Sequence, residues 1–340
     1  MKVSVLLPVY NAGILLERAI RSILAQSLTD FEFIIIDDAS KDDSRATIER
    51  FAAEDSRIRA ILHKDNMGLA ETLNEGLRIA SAPYIARMDQ DDESLPERLG
   101  IQFTFMNSRP NIAVAGSFVY HMGVSKQHDR FVRLPSDSAA IKKRLPEENC
   151  IYHPSVIMNR ALVLGTGGYK RQFRNAEDYD LWLRLSREHE LANIPIPLIR
   201  YHFSVEGMTL GRKWEQLYYV FLARASFNHT GSAWTEIERI AKAAHDNTDK
   251  QNFMSSVLDG TITELLSLGY TEQASKLVSQ FSDDVGRERT EKANARISEF
   301  QSTCHIPVQD EWLGEFLTLV KRNDTGTWTA PPVDSPQRVH

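Results

Sequence analysis

Sulfur is scarce in this chain: 340 residues hold two cysteines, Cys150 and Cys304, far apart and outside any Cys-x-x-Cys spacing. That excludes a disulfide framework and a cysteine-based zinc site, and it fits a reducing cytoplasm. No apolar run reaches the ~18 residues of a membrane span. The opening Met1-Lys-Val-Ser-Val-Leu-Leu-Pro8 carries one charge and is broken by proline, so it reads as a buried strand and not a signal peptide. With a net charge of −6 and no long basic block, nucleic acid is not the expected partner. Two phosphate-binding glycine motifs are also missing. Neither G-x-G-x-x-G nor G-x-x-x-x-G-K-[ST] occurs, and Pro8-Val-Tyr-Asn-Ala-Gly13 stands where a dinucleotide fingerprint would follow the first strand. A phosphate would have to be held by a metal ion and side chains.

Apolar residues make up 42% of the chain, ample for a sizeable core. Residues 1 to about 205 alternate β-branched runs with helical periods. Strands are expected at Val3–Leu7, Phe31–Ile36, Ile58–Leu62 and Tyr84–Met88, with helices from Ile14 to Gln26, up to Ala53, and from Leu69 to Ala80. This order predicts an α/β fold with a doubly wound, largely parallel sheet. Ile112–Tyr120, Ser155–Asn159 and Leu191–Tyr201 read as further, less regular strands. Helical periods then take over, at 214–227, 233–244, 253–268, 271–281, 287–300 and 310–322. The expected division is a domain over 1–210, a helical region over 211–323 and a disordered tail over 324–340. Trp214, Tyr218, Tyr219 and Phe221, behind Arg212 and Lys213, make an aromatic stretch. It either packs on the first domain or gives peripheral membrane contact.

The chemistry concentrates at strand ends. Asp89-Gln90-Asp91-Asp92 directly follows the fourth strand. Clustered carboxylates at the carboxyl edge of an open sheet offer hard oxygen ligands for Mg²⁺ or Mn²⁺, which in turn suit a diphosphate. Strand one ends in Tyr10 and Asn11, strand two in Asp37 and Asp38, and both ends face the same crevice. An aromatic ring there can stack on a base, and an acid that only accepts favours a ring N–H such as uracil N3. The plainer alternative makes Asp37 or Asp38 a cap for the helix near residue 43 and Tyr10 a core residue.

The ordered set Val3-Ser-Val-Leu-Leu-Pro-Val-Tyr-Asn11, Asp37-Asp-Ala-Ser40, Asn66-Met-Gly-Leu69, Asp89-Gln-Asp-Asp92 with Leu95-Pro96, His153-Pro-Ser155, Glu177-Asp178 and Tyr201-His202 resembles family 2 glycosyltransferases. The resemblance spans roughly residues 1 to 210. It implies a GT-A fold with a mixed sheet, a nucleotide-diphospho-sugar donor, Mn²⁺ or Mg²⁺, and inversion at the anomeric carbon. It also implies residue roles. Pro8, Tyr10, Asn11, Asp38, Asn66, Asp89 and Gln90 would line the donor site, with Tyr10 on the base and Asp38 on a uracil. Asp91 and His202 would meet the metal. The family often has a small residue where Gln90 stands. Asp178 matches the general base, at the start of a helix where its charged form is favoured, and Glu177 and His153 would lie on the acceptor side. Arg87 would pair with phosphate or with Asp89, and the loop from Gly167 to Asn175, with Arg171 and Arg174, would form a flexible lid.

The resulting expectation is a cytoplasmic, hexosyltransferase-like enzyme that uses a UDP-sugar and acts on a glycan or lipid-linked acceptor. Three rivals have weaker support. A sugar nucleotidyltransferase shares the chemistry, but its glycine-rich basic loop after strand one is missing. A catalytically degenerate binding or scaffold subunit would have no need to keep Asp38, Asp91 and Asp178 together. A Mg²⁺-dependent phosphatase would leave the base-side residues without purpose.

Overall fold

A computed structural model describes residues 1–123, 128–202, 210–228 and 291–298, together with residues 235, 266, 274, 275 and 278. The chain forms two compact units, Met1–Ser302 and Thr303–His340, and all described residues lie in the first. The strands are β1 (Val3–Val9), β2 (Phe31–Asp37), β3 (Ile58–Leu62), β4 (Tyr84–Arg87), β5 (Glu93–Ser94), β6 (Ile112–Met122), β7 (Arg130–Val132), β8 (Ile157–Asn159) and β9 (Glu190–His202). Between them run α1 (Leu16–Leu24), α2 (Ser44–Glu54), α3 (Leu69–Ile79), α4 (Arg98–Asn107), α5 (Ser138–Arg144), α6 (Arg160–Gly165) and α7 (Glu177–Ser186), with α8 (Leu210–Asn228) last.

The nine strands form one sheet in the order β3-β2-β1-β4-β8-β6-β9-β5, with β7 beside β6. Pairing among β3, β2, β1 and β4 is parallel, whereas β8 runs antiparallel to β4 and β6. The sheet is therefore mixed. The chain winds outward from β1 to β3 and then returns to β4 on the other side of β1. The switch point, and the crevice it opens, lies between the carboxyl ends of β1 and β4.

Burial follows the period of two along β1. Val3, Val5, Leu7 and Val9 join one apolar layer with Leu16, Ile20 and Ile23 of α1 and Phe51 of α2. Leu6 joins the opposite layer with Leu73 and Leu77 of α3 and Trp182 of α7. Every residue of β1 and β2 is buried, as expected of parallel strands covered on both faces. Gly76 lets α3 close onto this layer, since a Cβ there would stand 2.2 Å from a methyl of Leu6. Pro8 is tolerated in this central strand because of its register. Met88 donates to the carbonyl of Leu6, and β4 pairing ends at Arg87, so the missing N–H two residues on breaks no ladder bond.

The regular strands match the sequence reading to within a few residues. The two-residue β5 and three-residue β7 carry too little pattern to be read. On α8, Leu222 and Ala223 are buried in the layer that holds Leu181 and Leu185 of α7, with Tyr218, Tyr219 and Phe227 packed against it. For these residues the packing alternative holds. The side chains of Trp214 and Phe221, and the helices expected at 233–244, 253–268, 271–281 and 310–322, lie outside the described residues apart from the single helical positions 235, 266, 274, 275 and 278; residues 291–298 are helical.

One buried cation ties β4, β5, β8 and α4 together. Arg98 is 0% exposed and donates to the carbonyls of Arg87 (2.6 Å) and Val156 (3.2 Å), to Ser94 Oγ (2.9 Å) and to Gln102 Oε1 (3.0 Å). Burial pulls its pKa down to about 9, so it stays charged at neutral pH. Replacing it with alanine takes the donor from the Arg87 carbonyl, leaves the Val156 carbonyl with the Arg87 N–H alone and removes a charge that attracts Asp92. Arg98→Ala is expected to lower the unfolding free energy by about 3 kcal/mol. Urea titration followed by far-UV circular dichroism measures this, and a loss within experimental error would show the strap to be dispensable.

Candidate active site

The crevice is built by loops that leave β1, β2 and β4. Three non-glycine residues around it hold positive φ: Asn11 at 49°, Ala39 at 65° and Asn175 at 60°. Such conformations persist only where neighbours over-determine them. Asn11 shows how: its N–H donates to Ser40 Oγ (2.9 Å) and its Oδ1 accepts from Lys41 N–H (2.7 Å). Asp42, and neither Asp37 nor Asp38, carries the capping contacts, accepting from Ser44 N–H (3.1 Å) and Gly13 N–H (2.9 Å). Asn11 thus acts as a brace between two loops, and Pro8 is buried within its strand.

Tyr10 is 47% exposed, so the alternative that makes it a core residue is excluded. Its backbone is gripped from β4. Gln90 Oε1 accepts from Tyr10 N–H (2.7 Å) and Gln90 Nε2 donates to the Tyr10 carbonyl (3.2 Å). A carboxamide can do both at once, and this two-way clasp across the switch point occupies Gln90 with Tyr10. It is the physical use of a side chain where a small residue was anticipated.

Asp38 is 4% exposed and collects three hydrogen bonds. Oδ1 accepts from Met67 N–H (2.7 Å) and faces His63 Nδ1 (2.9 Å), and Oδ2 accepts from Gly68 N–H (2.9 Å). Asn66 Nδ2 donates to the Asp38 carbonyl (3.0 Å). The turn at 66–68, with Gly68 at a φ of 84°, is therefore wrapped around this one acid. A carboxylate offers about four lone-pair positions, so one on Oδ2 remains for an incoming N–H.

The acids after β4 do not share one environment. Arg87, 1% exposed, pairs with Asp89. Burial pushes the Asp89 pKa up and outweighs the attraction of Arg87. Asp92 is fully buried, and burial followed by the charges of Asp89 and Asp91 raises its pKa well above the usual range. Its Oδ1 accepts from the N–H of His202 (2.6 Å), which docks the end of β9 beside the acids. Asp91 is partly open, its carbonyl accepts from Arg18 (2.7 Å), and its Oδ2 lies 3.7 Å from His202 Nδ1.

A divalent cation fits here. His202 Nδ1 is buried without a hydrogen-bond partner and faces the Asp91 carboxylate, and Asp92 Oδ2 is likewise unpartnered. Among the described residues no group of three or more His, Cys, Asp or Glu is placed to hold a metal. Mg²⁺ and Mn²⁺ of phosphate-handling sites need only one or two protein ligands, because substrate oxygens complete the shell.

Across the crevice, α7 opens with Glu177 and Asp178. Asp178 is half-buried and its Oδ2 accepts from Asn149 Nδ2 (3.0 Å). Its pKa is raised, burial outweighing the backbone N–H of Tyr179 and the charge of Arg87. Burial thus works against the helix start, where the charged form was expected to be favoured. Glu177 is 6% exposed, and burial together with Asp178 pushes its pKa up to about 7. His153 Nε2 meets the hydroxyl of Tyr169 (2.9 Å), and its ring lies 5.9 Å from that of Trp182. Burial and Arg87 lower the His153 pKa well below 6.5, so the ring is neutral. The charge of Arg87 acts on Asp89, Asp178, Tyr169 and His153 alike, so the acid after β4 and the start of α7 lie within reach of one buried cation.

The loop expected as a flexible lid is tethered at its start. Asn74 exchanges two bonds with the Tyr169 backbone (2.8 and 2.9 Å), Arg184 donates to the carbonyls of Thr166 (2.7 Å) and Gly168 (2.6 Å), and Phe173 is buried. Arg171 and Arg174 are exposed. Sequence reasoning missed His63 and Asn149. His63 ends a third strand at the same sheet edge, a signal that was present; Asn149 had none.

The mixed sheet and the crevice at its switch point have the GT-A fold. Residues 4–165 match the family described as Glycosyl transferase family 2. The amylovoran biosynthesis glycosyltransferase AmsE of Erwinia amylovora is 31% identical over 218 residues, covering 63% of this chain and 81% of AmsE. The chain belongs to glycosyl transferase family 2, and it is a glycosyltransferase. Two solved structures share its fold. The first 349 residues of S. aureus TarS in complex with UDP-GlcNAc align with a TM-score of 0.53 at 16% identity, covering 88% of this chain and 89% of that one. The mannosyltransferase PcManGT of Pyrobaculum calidifontis, in complex with GDP-Man and Mn²⁺, aligns with a TM-score of 0.52 at 14% identity, covering 88% and 82%.

If Asp91 and His202 hold the cation, Asp91→Asn should weaken UDP binding in the presence of Mn²⁺ at least tenfold, the loss of about one charge-assisted contact, and leave binding in EDTA unchanged. Calorimetric titration decides. Equal Mn²⁺-dependent affinities for variant and parent would remove Asp91 from the metal site.

Proposed function

We propose that this enzyme transfers a hexose from a UDP-sugar to a hydroxyl of a glycan or lipid-linked acceptor, with inversion at the anomeric carbon. The observation that carries the reading is the buried Arg87, which is bonded to Asp89 behind β4 and also acts on Asp178 at the start of α7. Tyr10, Asp38 and the acids after β4 serve the donor, and Asp178, a carboxylate with a raised pKa, serves the acceptor. The exposed ring of Tyr10 is available to stack on a base, and the remaining lone pair of Asp38 suits the N3–H of uracil.

A bound Mg²⁺ or Mn²⁺ would supply Lewis-acid stabilisation to the departing diphosphate. Asp91 and His202 are the residues that would hold it. The other roles belong to the chain itself. Gln90 fixes Tyr10 against the crevice, and Asp92 fixes His202. Asp178 takes the proton of the acceptor hydroxyl as that oxygen bonds to the anomeric carbon and the bond from that carbon to the diphosphate oxygen breaks. Asn149 holds one Asp178 oxygen and leaves the other for this task. A base works best when its pKa lies near the working pH, and burial moves Asp178 in that direction. Glu177, deeper and protonated to a large extent at neutrality, binds the acceptor by hydrogen bonds.

Residues 1–210 act as the catalytic domain, with α8 packed onto it. No described helix is long and apolar enough to cross a membrane; a cytoplasmic location, with peripheral contact at the membrane face where lipid-linked acceptors stand, accords with the reading.

Asp178→Asn is expected to retain UDP affinity and lose transfer by a factor of about 10²–10⁴. In the parent enzyme kcat/KM should fall as pH drops through the Asp178 pKa, and that fall should come above the ordinary 3.8 of an aspartate. Radiolabelled UDP-sugar transfer across a pH series tests both, and normal turnover by the variant would end its assignment as base.

A further inference from the structure

His63 closes β3 and stands where the sequence reading placed nothing. Its backbone N–H donates to the Asp37 carbonyl (2.9 Å), which fixes the ring over the end of β2. The side chain is 11% exposed and sits between two carboxylates, with Nδ1 2.9 Å from Asp38 Oδ1 and Nε2 2.8 Å from Glu75 Oε2 on α3. Carboxylate oxygens accept and do not donate, so both ring nitrogens carry hydrogen and the ring is an imidazolium. Among the described residues these two acids are the charged groups facing the ring; Lys64 and Asp65, next on its own loop, are exposed.

We propose that His63 is a positioning residue for nucleotide recognition: as a cation bonded to Asp38 and Glu75, it holds the Asp38 carboxylate in the orientation that leaves one Oδ2 lone pair open to the base. The proposal rests on the reading of Asp38 as the base-side acid. Without the imidazolium, the carboxylate keeps only the N–H groups of Met67 and Gly68, both on the turn that it must itself hold in place. The cation supplies an anchor from outside that turn, relayed to the rigid body of α3 through Glu75. A neutral ring would turn one nitrogen lone pair toward a carboxylate oxygen, and that contact is repulsive.

The sign of the pH dependence follows. Burial opposes the charge of His63, but the hydrogen bonds to Asp38 and Glu75 prevail and raise its pKa above the ordinary 6.5. The clamp is therefore complete below that value and is lost as pH rises through the raised pKa. UDP affinity, measured calorimetrically with Mn²⁺ across pH, should weaken roughly tenfold through this step, the size of one charge-assisted bond. His63→Gln should bind UDP about tenfold more weakly at low pH and show no such step; it also reports any titration of the nucleotide itself. Glu75→Gln, altering a more exposed side chain, should keep the step and move it to lower pH.

A His63→Gln protein that binds UDP as the parent does, with the same pH profile, overturns the proposal. So does an unmoved step in Glu75→Gln, which carries the test if His63→Gln does not fold. Asp38→Asn separates the two levels. If it leaves UDP affinity intact, the base-side reading itself fails. If it weakens binding while His63→Gln does not, only the positioning role falls.

Discussion

The site depends on two guanidinium groups buried at the end of β4. Three carboxylates within four residues repel one another, and burial makes the repulsion worse, as the raised pKa values of Asp89 and Asp92 show. Arg87 answers Asp89 directly, and Arg98 attracts Asp92 from beneath while it binds the Arg87 carbonyl. Neither cation is exposed, so their fields are poorly screened and reach several groups at once. Arg87 in particular acts on both the donor acids and Asp178. Even so, the cluster retains an unpartnered Asp92 oxygen and an unpartnered His202 nitrogen.

Much of this was legible in the sequence because it is written in local pattern. β1 and β2 are largely apolar runs interrupted by Ser4 and Glu32, α1 repeats Leu16, Ala19, Ile20 and Ile23 at helical spacing, and the acids come directly after a strand. Convergence of the strand ends came from the parallel order alone. What failed to show depends on contacts between residues far apart. Gln90 is an ordinary polar residue until it meets the Tyr10 backbone, 80 positions away. The raised pKa of Asp178 reflects what covers α7, while the sequence displays only its place at a helix start. The tethered loop at 167–169 is held by Asn74, 95 positions before Tyr169. Glycine pairs advertise flexibility, but here Gly167 and Gly168 supply positive φ for a fixed turn.

Acids of one type are put to different uses by their surroundings. Asp38 is surrounded by donors, two backbone N–H groups and an imidazolium, so it serves as an acceptor of fixed direction. Asp178 and Glu177 have few donors and much apolar cover, and burial drives their pKa values upward. A carboxylate held by several donors keeps its direction, whereas one held mainly by burial gives up its charge more easily. Asp92 too is raised by burial, and it acts as a strut: its Oδ1 accepts from the N–H of His202.

Helix α3 links these environments mechanically. Two adjacent residues on it look toward different halves of the crevice: Asn74 grips the backbone of Tyr169, whose hydroxyl meets His153, and Glu75 grips His63, which meets Asp38. The helix is itself pressed onto β1 at Gly76, where no side chain larger than hydrogen fits over Leu6. Asp38 and His153 are thus referenced to one rigid element seated on the central strand. A shift of α3 by a fraction of an ångström would move both halves together, keeping their spacing. Transfer between two bound substrates requires that spacing to be held, since reacting atoms must meet at near-contact distance. The close seat at Gly76 is therefore a constraint on the site as much as on the core.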